Sequence, residues 1–406
     1  MPPSLAALGV PAELVDRLAR RGVTDSFPIQ AATLPDALAG RDVCGRAPTG
    51  SGKTLAFAIP LVARVPRARS RRPQALVLVP TRELAAQVHA EVVALAGSSG
   101  PSAVAVYGGV GFERQVSALR RGVDIVVACP GRLADLVSRR HLSLEDVGLV
   151  VIDEADRMAD MGFLPEVRRL LDQVSADRQT LLFSATLDGD VDVLVRRYQR
   201  SPVRHELAPE PDAPRSRHVF WPAERSERLG LVTRLVAQQW PAIVFCRTRH
   251  GADRLTRQLG KAGVASAAIH GDRSQGQRER ALAGLANGSV QALVATDVAA
   301  RGIHVDDVAC VVHFDPAGDD KAYVHRSGRT GRAGAAGLVV SLVDSAAEKD
   351  ARALQKALGL PVGLTAPGSL DAVPAPAAAA PAPTRPPGHR RRRGGGGTPR
   401  RAAARR

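Results

Sequence analysis

Residues 47–54 carry the types and spacing of a phosphate-binding loop. They read Ala47-Pro48-Thr49-Gly50-Ser51-Gly52-Lys53-Thr54, between an apolar segment at 42–44 and a helical pattern that opens at 55. Gly50 and Gly52 let backbone amides turn toward a polyphosphate. Lys53 can bridge the outer phosphates, and the Thr54 hydroxyl can ligate Mg²⁺. The usual pattern begins with Gly rather than Ala, so the alternative is a Gly/Ser turn before a helix.

Two carboxylates follow an apolar run farther along the chain. Residues 149–152 are the four consecutive apolar residues that a buried parallel strand requires, and Asp153 and Glu154 come next. The first carboxylate can hold the water shell of Mg²⁺, and the second can orient an attacking water. An acidic pair after a strand is often only a turn, but the phosphate loop upstream favours catalysis.

A basic cluster lies in the second half of the chain. It reads His325-Arg326-Ser327-Gly328-Arg329-Thr330-Gly331-Arg332. Arg329 and Arg332 are three residues apart, so one helical turn could aim both at the same phosphate. The alternative is a solvated basic turn, which is common in so arginine-rich a chain. The second half has no phosphate loop of its own, and this favours a pair of arginine fingers.

The elements that position these residues are predicted from two series of short apolar runs that alternate with amphipathic helices. This alternation is typical of doubly wound parallel sheets, here a first domain at 1–208 and a second at 217–364. A Pro-rich linker is predicted at 209–216 and an Ala/Pro-rich, then Arg/Gly-rich, disordered tail at 365–406. The first-domain strands are predicted at 75–79, 103–107, 124–128, 149–152 and 180–183. The second-domain strands are predicted at 219–221, 242–246, 265–269, 291–295, 308–313 and 338–342, with helices at 226–239, 250–259 and 275–286.

The amino-acid composition limits the binding partners and the cellular compartment that we expect. The 406 residues are 45% hydrophobic, enough for two or three domains with full cores. The formal net charge of +16 indicates a polyanionic partner, and nucleic acid is the simplest candidate. Four separate cysteines are expected to be buried, reduced thiols. No leader pattern or membrane-length apolar run is seen, so we expect a soluble cytoplasmic protein.

The stretch Asp153-Glu154-Ala155-Asp156 spells the signature after which DEAD-box RNA helicases are named. Further segments resemble the family's motifs in their order. They are 47–54 for motif I, 80–84 for Ia, 130–132 for Ib, 184–186 for III, 243–248 for IV with Gln277 and Arg280 adjoining, 295–297 and 300–302 for V, and 325–332 for VI. The resemblance covers about residues 30–334 and implies two tandem RecA-like domains that use ATP and Mg²⁺.

The resemblance also implies roles in the nucleotide site. Lys53, Thr54 and Asp153 would hold Mg-ATP, and Glu154 would position the water. Arg329 and Arg332 would stabilise charge on the γ-phosphate. Two further residues are implied to touch the nucleoside, namely Asp297 at the ribose and Gln30 at the adenine. A glutamine amide can pair with the adenine edge but not with that of guanine. The alternative is that Gln30 only caps the helix near Ala31.

Other matched positions are implied to bind RNA or to couple the two domains. The RNA-binding set is Pro80, Thr81, Arg82, Gly109, Pro130, Gly131, Arg132, Arg280 and Thr296. Contacts with the sugar-phosphate backbone and 2′-hydroxyls imply little sequence preference and a choice of RNA over DNA. Ser184 and Thr186 would couple the nucleotide site to Asp156 and His325. The alternative for this hydroxyl pair is a helix cap.

Five positions depart from the family pattern. Val23 stands where an aromatic residue commonly stacks on adenine, and Ser26-Phe27 replaces Pro-Thr. His304 replaces an Asp after Arg-Gly-Ile, and Cys129 replaces the Thr of motif Ib. These departures bear on adenine selectivity and on interdomain contacts, and none removes a catalytic group.

We therefore expect an RNA-stimulated ATPase whose domains close on ATP and single-stranded RNA to separate short duplexes or remodel RNA–protein complexes. The alternative is an ATP-gated RNA clamp or annealing chaperone, which the Arg/Gly tail supports equally. A DNA translocase is disfavoured because further DNA-contacting motifs are not found. Ribosomal precursors and RNA-decay proteins are candidate partners of what we expect to be a monomer with no membrane association.

Overall fold

The computed structural model describes residues 3–48, 50–187, 189–207, 216–297, 308–331 and 337–367. Within these ranges the chain forms two parallel sheets with helices packed on them, as the alternating pattern predicts. Alternate residues of a strand enter different cores: Ala75 and Val77 join one cluster, and Leu76 and Leu78 join another. Such a strand is apolar on both sides, which explains its continuous apolar run.

The sheet of the first domain has seven strands in the order β3-β4-β2-β5-β6-β1-β7. The strands are β1 (Val43–Arg46), β2 (Ala75–Leu78), β3 (Ala103–Val106), β4 (Ile125–Ala128), β5 (Leu149–Asp153), β6 (Gln179–Ser184) and β7 (Val203–Glu206). The helices are α1 (Ala12–Ala19), α2 (Pro28–Leu38), α3 (Lys53–Arg64), α4 (Arg82–Ala96), α5 (Phe112–Arg121), α6 (Pro130–Ser138), α7 (Ala155–Asp160), α8 (Leu164–Leu171) and α9 (Asp190–Tyr198).

The sheet of the second domain has six strands in the order β10-β11-β9-β12-β13-β8. The strands are β8 (Arg217–Pro222), β9 (Ala242–Phe245), β10 (Ser266–Ile269), β11 (Ala292–Ala295), β12 (Cys310–His313) and β13 (Leu338–Val343). The helices that the structure describes are α10 (Arg228–Gln238), α11 (Arg249–Lys261), α12 (Gln275–Ala286), α13 (Asp320–Ser327) and α14 (Glu348–Ala357). Thr365 N–H donates to Phe220 O at 2.8 Å, so the packed chain reaches this residue.

Every predicted strand is present with small shifts of its ends, but two strands were not predicted. β1 contains Gly45 and ends in Arg46, so it lacks a full apolar run; a Cβ on Gly45 would collide with the Phe183 ring. β7 lies at the sheet edge and has no fully buried residue. Most of the predicted linker and most of the predicted tail lie outside the described residues.

The cysteines and the helices give two further findings. All four cysteines are free thiols, and Cys44, Cys246 and Cys310 are buried. Burial raises the pKa of Cys44 to about 11 and that of Cys246 to about 12, so these thiols are poor nucleophiles. Among the described residues, no helix is both long and apolar enough to cross a bilayer.

Candidate functional site

The phosphate loop joins β1 to α3 at the carboxyl edge of the first sheet. Gly50 and Gly52 both have a φ of 85°, a left-handed conformation that glycine adopts without strain. Lys53 is 7% exposed, and its ammonium donates to the Ala47 carbonyl oxygen at 2.8 Å. The lysine is thus held within the loop by an uncharged acceptor, which a phosphate oxygen could replace. Thr49 lies outside the described residues.

The two carboxylates follow β5 on a strained turn. Glu154 has φ 52° and ψ 50°, a conformation that costs a residue other than glycine about 1–3 kcal/mol. Asp153 Oδ1 accepts a hydrogen bond from Glu154 N–H at 2.9 Å, and Arg157 Nη1 lies 3.2 Å from Glu154 Oε2. These contacts hold the turn, which places both carboxylates beside the phosphate loop.

A cavity of about 210 Å³ lies between the loop and these carboxylates. It is lined by Phe27, Gly50, Gly52, Lys53, Thr54, Asp153 and Glu154. The Thr54 hydroxyl and the Asp153 carboxylate supply hard oxygen ligands, the type that Mg²⁺ takes in nucleotide sites. The residues present therefore fit the predicted metal. Ser51, also in the loop, donates to Pro48 O at 2.7 Å and is not one of the residues that line this cavity.

A larger cavity of about 640 Å³ is lined by residues of both domains. Lys53 and Glu154 come from the first domain, and His325 and Arg329 come from the second. Arg329 is only 6% exposed, so a guanidinium is held inside the protein beside the phosphate loop. The structure thus brings one predicted arginine finger to the loop and the carboxylate. Arg332, the other predicted finger, lies outside the described residues.

Two of the predicted coupling residues, Asp156 and His325, line the same cavity. Ser184 Oγ accepts a hydrogen bond from Asp156 N–H at 3.2 Å, which connects the end of β6 to the start of α7. His325 Nε2 is 4.0 Å from Asp160 Oδ2, across the two domains. Thr186 is exposed just beyond β6. A path of contacts therefore runs from β6 through α7 to α13.

Gln30 is fully buried and has partners for both ends of its side-chain amide. Its Oε1 accepts from Phe27 N–H at 3.0 Å, and its Nε2 donates to Gly52 O at 2.9 Å. The first bond belongs to a helix cap, as the alternative interpretation requires. The second ties the amide to the phosphate loop. Reading of adenine by Gln30 would exchange these bonds for bonds to the base.

Arg326 is a site residue to which the sequence analysis gave no role. Its Nε and Nη2 donate to Asp297 Oδ1 and Oδ2 at 2.5 and 2.7 Å, and its Nη1 donates to Asp315 O at 2.9 Å. The guanidinium also lies over the Phe245 ring. Arg326 therefore fixes the carboxylate predicted to meet the ribose. Ala322 and Tyr323, four and three residues before it on the helix, are also buried, and this shared face was the available signal.

The predicted RNA-binding residues of the first domain follow β2, β3 and β4, which are neighbours in the sheet. They are Pro80, Thr81, Arg82, Gly109, Pro130, Gly131 and Arg132. Arg82 packs against Gly109, where φ is 85° and a Cβ would collide with the guanidinium. The Arg132 guanidinium lies 5.5 Å from the centre of the Phe112 ring. Two cations are thus held by packing at one edge of the sheet.

An ion pair joins this edge to the second domain. Arg278 Nε of α12 lies 2.8 Å from Glu83 Oε1 of α4, with the side chains 11% and 4% exposed. Two predicted RNA-binding residues lie on the second domain, Arg280 on α12 and the buried Thr296 just after β11. Arg280 is exposed, and its Nε donates to Gly276 O at 3.1 Å.

Comparisons with known proteins identify the class that this fold and site define. The sequence model of the DEAD/DEAH box helicase domain matches residues 27–194. That of the helicase conserved C-terminal domain matches residues 227–334. The first match lies within the first domain and contains Lys53 and Glu154, and the second lies within the second domain and contains His325 and Arg329.

Individual relatives agree. The chain is 41% identical over 339 residues to the DEAD-box ATP-dependent RNA helicase CshA of Geobacillus kaustophilus, covering 83% of this chain and 72% of the relative. It is 42% identical over 383 residues to the chloroplastic DEAD-box ATP-dependent RNA helicase 3A of Zea mays, covering 91% of this chain and 51% of the relative. The chain thus spans about half the length of several curated relatives that it matches.

The chain is also similar to a solved structure over most of its length. Dbp5 of S. cerevisiae bound to RNA and ADP BeF3 superimposes with a TM-score of 0.76 at 26% identity, covering 90% of this chain and 96% of that one. The chain belongs to the DEAD-box helicase family.

Proposed function

We propose that the protein is an RNA-stimulated ATPase that separates short RNA duplexes or remodels RNA–protein complexes. The observation that carries this proposal is the cavity that Lys53 and Glu154 share with Arg329 of the second domain. A site divided between two domains is complete only when they are together, so hydrolysis is tied to their closure. The family and the names of the curated relatives support the same activity.

The chemistry assigns one task to each group. Lys53 moves from the Ala47 carbonyl to the outer phosphates of ATP. Glu154 accepts a hydrogen bond from the attacking water and orients it, and Arg329 stabilises charge that develops on the transferred phosphoryl group. Thr54 and Asp153 would hold Mg²⁺, which would neutralise phosphate charge when bound. The strained turn at Glu154 keeps its carboxylate beside the phosphate loop.

RNA binds at the edge of the first-domain sheet that carries Arg82 and Arg132. These cations, with Arg280 and Thr296 of the second domain, contact the sugar-phosphate backbone of one strand. RNA that binds both domains favours the closed state, and by linkage ATP that binds both domains favours RNA binding. Such coupling lets hydrolysis reset the RNA-bound state.

A single substitution, Glu154→Gln, tests the catalytic assignment. Glutamine has nearly the same shape but accepts a proton poorly, so we expect ATP turnover to fall by about 10² or more while ATP-dependent RNA retention persists. Steady-state ATPase and RNA crosslinking with ATP measure the two effects. The matched control is Glu145→Gln at an exposed ion pair with Arg72, which should behave as wild type. Turnover within a few-fold of wild type in Glu154→Gln refutes the assignment.

A second experiment separates unwinding from clamping and annealing. Short blunt and tailed RNA duplexes are incubated with the full chain and ATP, with a DNA duplex of the same sequence alongside. We expect ATP-dependent separation of the RNA duplexes and little effect on DNA. Retention or annealing without separation would favour the clamp or annealing chaperone, and efficient DNA separation would favour the translocase.

A further inference from the structure

Phe27 is an exposed aromatic side chain at the mouth of the phosphate loop. It is 45% exposed, although most aromatic side chains of the protein are buried or half-buried, and its ring lines the cavity beside Lys53 and Thr54. The other large aromatic residue with comparable exposure in the described part of the chain is Trp240, which lies in the second domain beside Gly288. When a flat, apolar surface covers an apolar ring that was exposed to water, the free energy is lowered. A ring beside a phosphate site therefore favours a ligand that carries such a surface.

The position of the ring is fixed relative to Gln30. A Cβ added to Gly52 would lie 2.6 Å from Gln30 Nε2 and 3.0 Å from Phe27 Cγ, so both side chains rest on the same glycine. Phe27 also begins the helix cap that Gln30 completes, because its N–H donates to Gln30 Oε1. A base that pairs with the Gln30 amide therefore lies within van der Waals reach of the Phe27 ring.

Val23 has different surroundings. It is half-buried and packs against the hydrophobic core of the first domain. It is an aliphatic side chain, so it has no ring face to offer a base. The aromatic residue that the sequence lacks at 23 is thus present four residues later, in the segment Ser26-Phe27 that also departs from the family pattern.

We propose that Phe27 stacks on the base of the bound nucleotide and supplies the aromatic contact that Val23 does not. The inference rests on the proposed ATP site and names a further binding residue within it. The ring contributes through the base rather than through the phosphates. Phe27 therefore sets affinity for nucleosides and leaves affinity for polyphosphate alone unchanged, whereas Gln30 sets the preference among bases.

The test compares ligands with and without a base on the full chain. Phe27→Ala should weaken ADP binding by about tenfold, since stacking of one base on an aromatic residue is worth about that much. Binding of magnesium pyrophosphate should be unchanged. Phe27→Leu keeps apolar area without a ring face and should fall between Phe27→Ala and the wild type. Isothermal titration calorimetry measures all three, with the melting temperature as a check on folding.

Phe27→Trp adds a direct signal. Trp221 and Trp240, the two native tryptophans, lie in the second domain, so the fluorescence of the variant minus that of the wild type reports on position 27. ADP should quench the added fluorescence, and pyrophosphate should not. Equal ADP affinity in Phe27→Ala and wild type, or quenching by pyrophosphate as strong as by ADP, would overturn the stacking proposal. A wild type that binds neither ligand would instead overturn the proposed ATP site.

Discussion

The two domains share one strand order, yet they differ at the place where the first domain carries its phosphate loop. Numbered within each domain, six strands follow the order 3-4-2-5-6-1 in both sheets, with β7 added at the edge of the first. β8 therefore corresponds to β1, and β12 corresponds to β5. The helix after β1 begins with Lys53, and the helix after β8 begins with Arg228. Both domains thus start this helix with a cation.

The partners of the two cations differ. Arg228 is 3% exposed, donates to Phe314 O at 2.8 Å, and pairs with Asp344 at 2.8 Å and Asp315 at 3.6 Å. Asp315 follows β12 much as Glu154 follows β5. In the second domain the cation and the carboxylate thus pair with each other, whereas Lys53 is bonded to an uncharged carbonyl. This difference in pairing within one topology supports the proposal that the first domain binds phosphate and the second only completes its site.

The largest expected effect comes from removing the contribution of the second domain to the shared site. Arg329→Ala in the full chain should lower RNA-stimulated ATP turnover by about 10³, as the loss of an arginine finger does elsewhere. ATP binding should change little because the phosphate loop is intact. The control is Arg225→Ala, an exposed arginine in the loop between β8 and α10. A loss below tenfold in Arg329→Ala would mean that the first domain hydrolyses ATP without it.

Substitution of the corresponding cations, Lys53 and Arg228, should have different consequences: loss of activity for the first and loss of stability for the second. Lys53→Met should remove ATP turnover with little loss of stability. Arg228→Met should leave two carboxylates without their cation and lower the free energy of unfolding by about 3 kcal/mol, near the lower end for broken buried pairs because Asp315 and Asp344 are 29% and 21% exposed. Urea unfolding measures the stability of each variant, and ATPase per folded molecule measures its turnover. Equal stability of the two variants would remove the distinction between them.

The contrast also shows what a sequence can predict. The phosphate loop, the acidic pair and the basic segment of motif VI are short segments that together predict their chemistry, and most strands are apolar because both faces are covered. The partners of Arg228 could not be predicted, because Asp344 lies 116 residues away. The same holds for the two bonds of Gln30 and for the Arg326–Asp297 pair. Each depends on which strand ends the fold brings together.

Acid should affect the second domain through a buried histidine. Burial, together with the charges of Arg326 and His218, holds the pKa of His313 well below its usual 6.5. The unfolded chain therefore takes up this proton first, and stability is lost as the pH falls below about 6.5, by up to about 1.4 kcal/mol per pH unit. Tryptophan fluorescence reports this transition because both tryptophans lie in this domain. His313→Gln should flatten the pH dependence; an unchanged slope would exclude His313 as its source.

The smallest expected effect concerns the ion pair between Glu83 and Arg278, which joins the two domains at the predicted RNA-binding edge. Both side chains are nearly buried, so removal of either one breaks a buried contact between the two domains. Glu83→Gln and Arg278→Gln should each lower RNA-stimulated ATPase at limiting RNA by about fivefold, and the double variant should lose no more than either, a coupling of about 1 kcal/mol. The same cycle on Arg72 and Glu145, an exposed pair within the first domain, should show no coupling in this assay. Additive losses in the Glu83–Arg278 cycle would show that the pair does not stabilise the closed state.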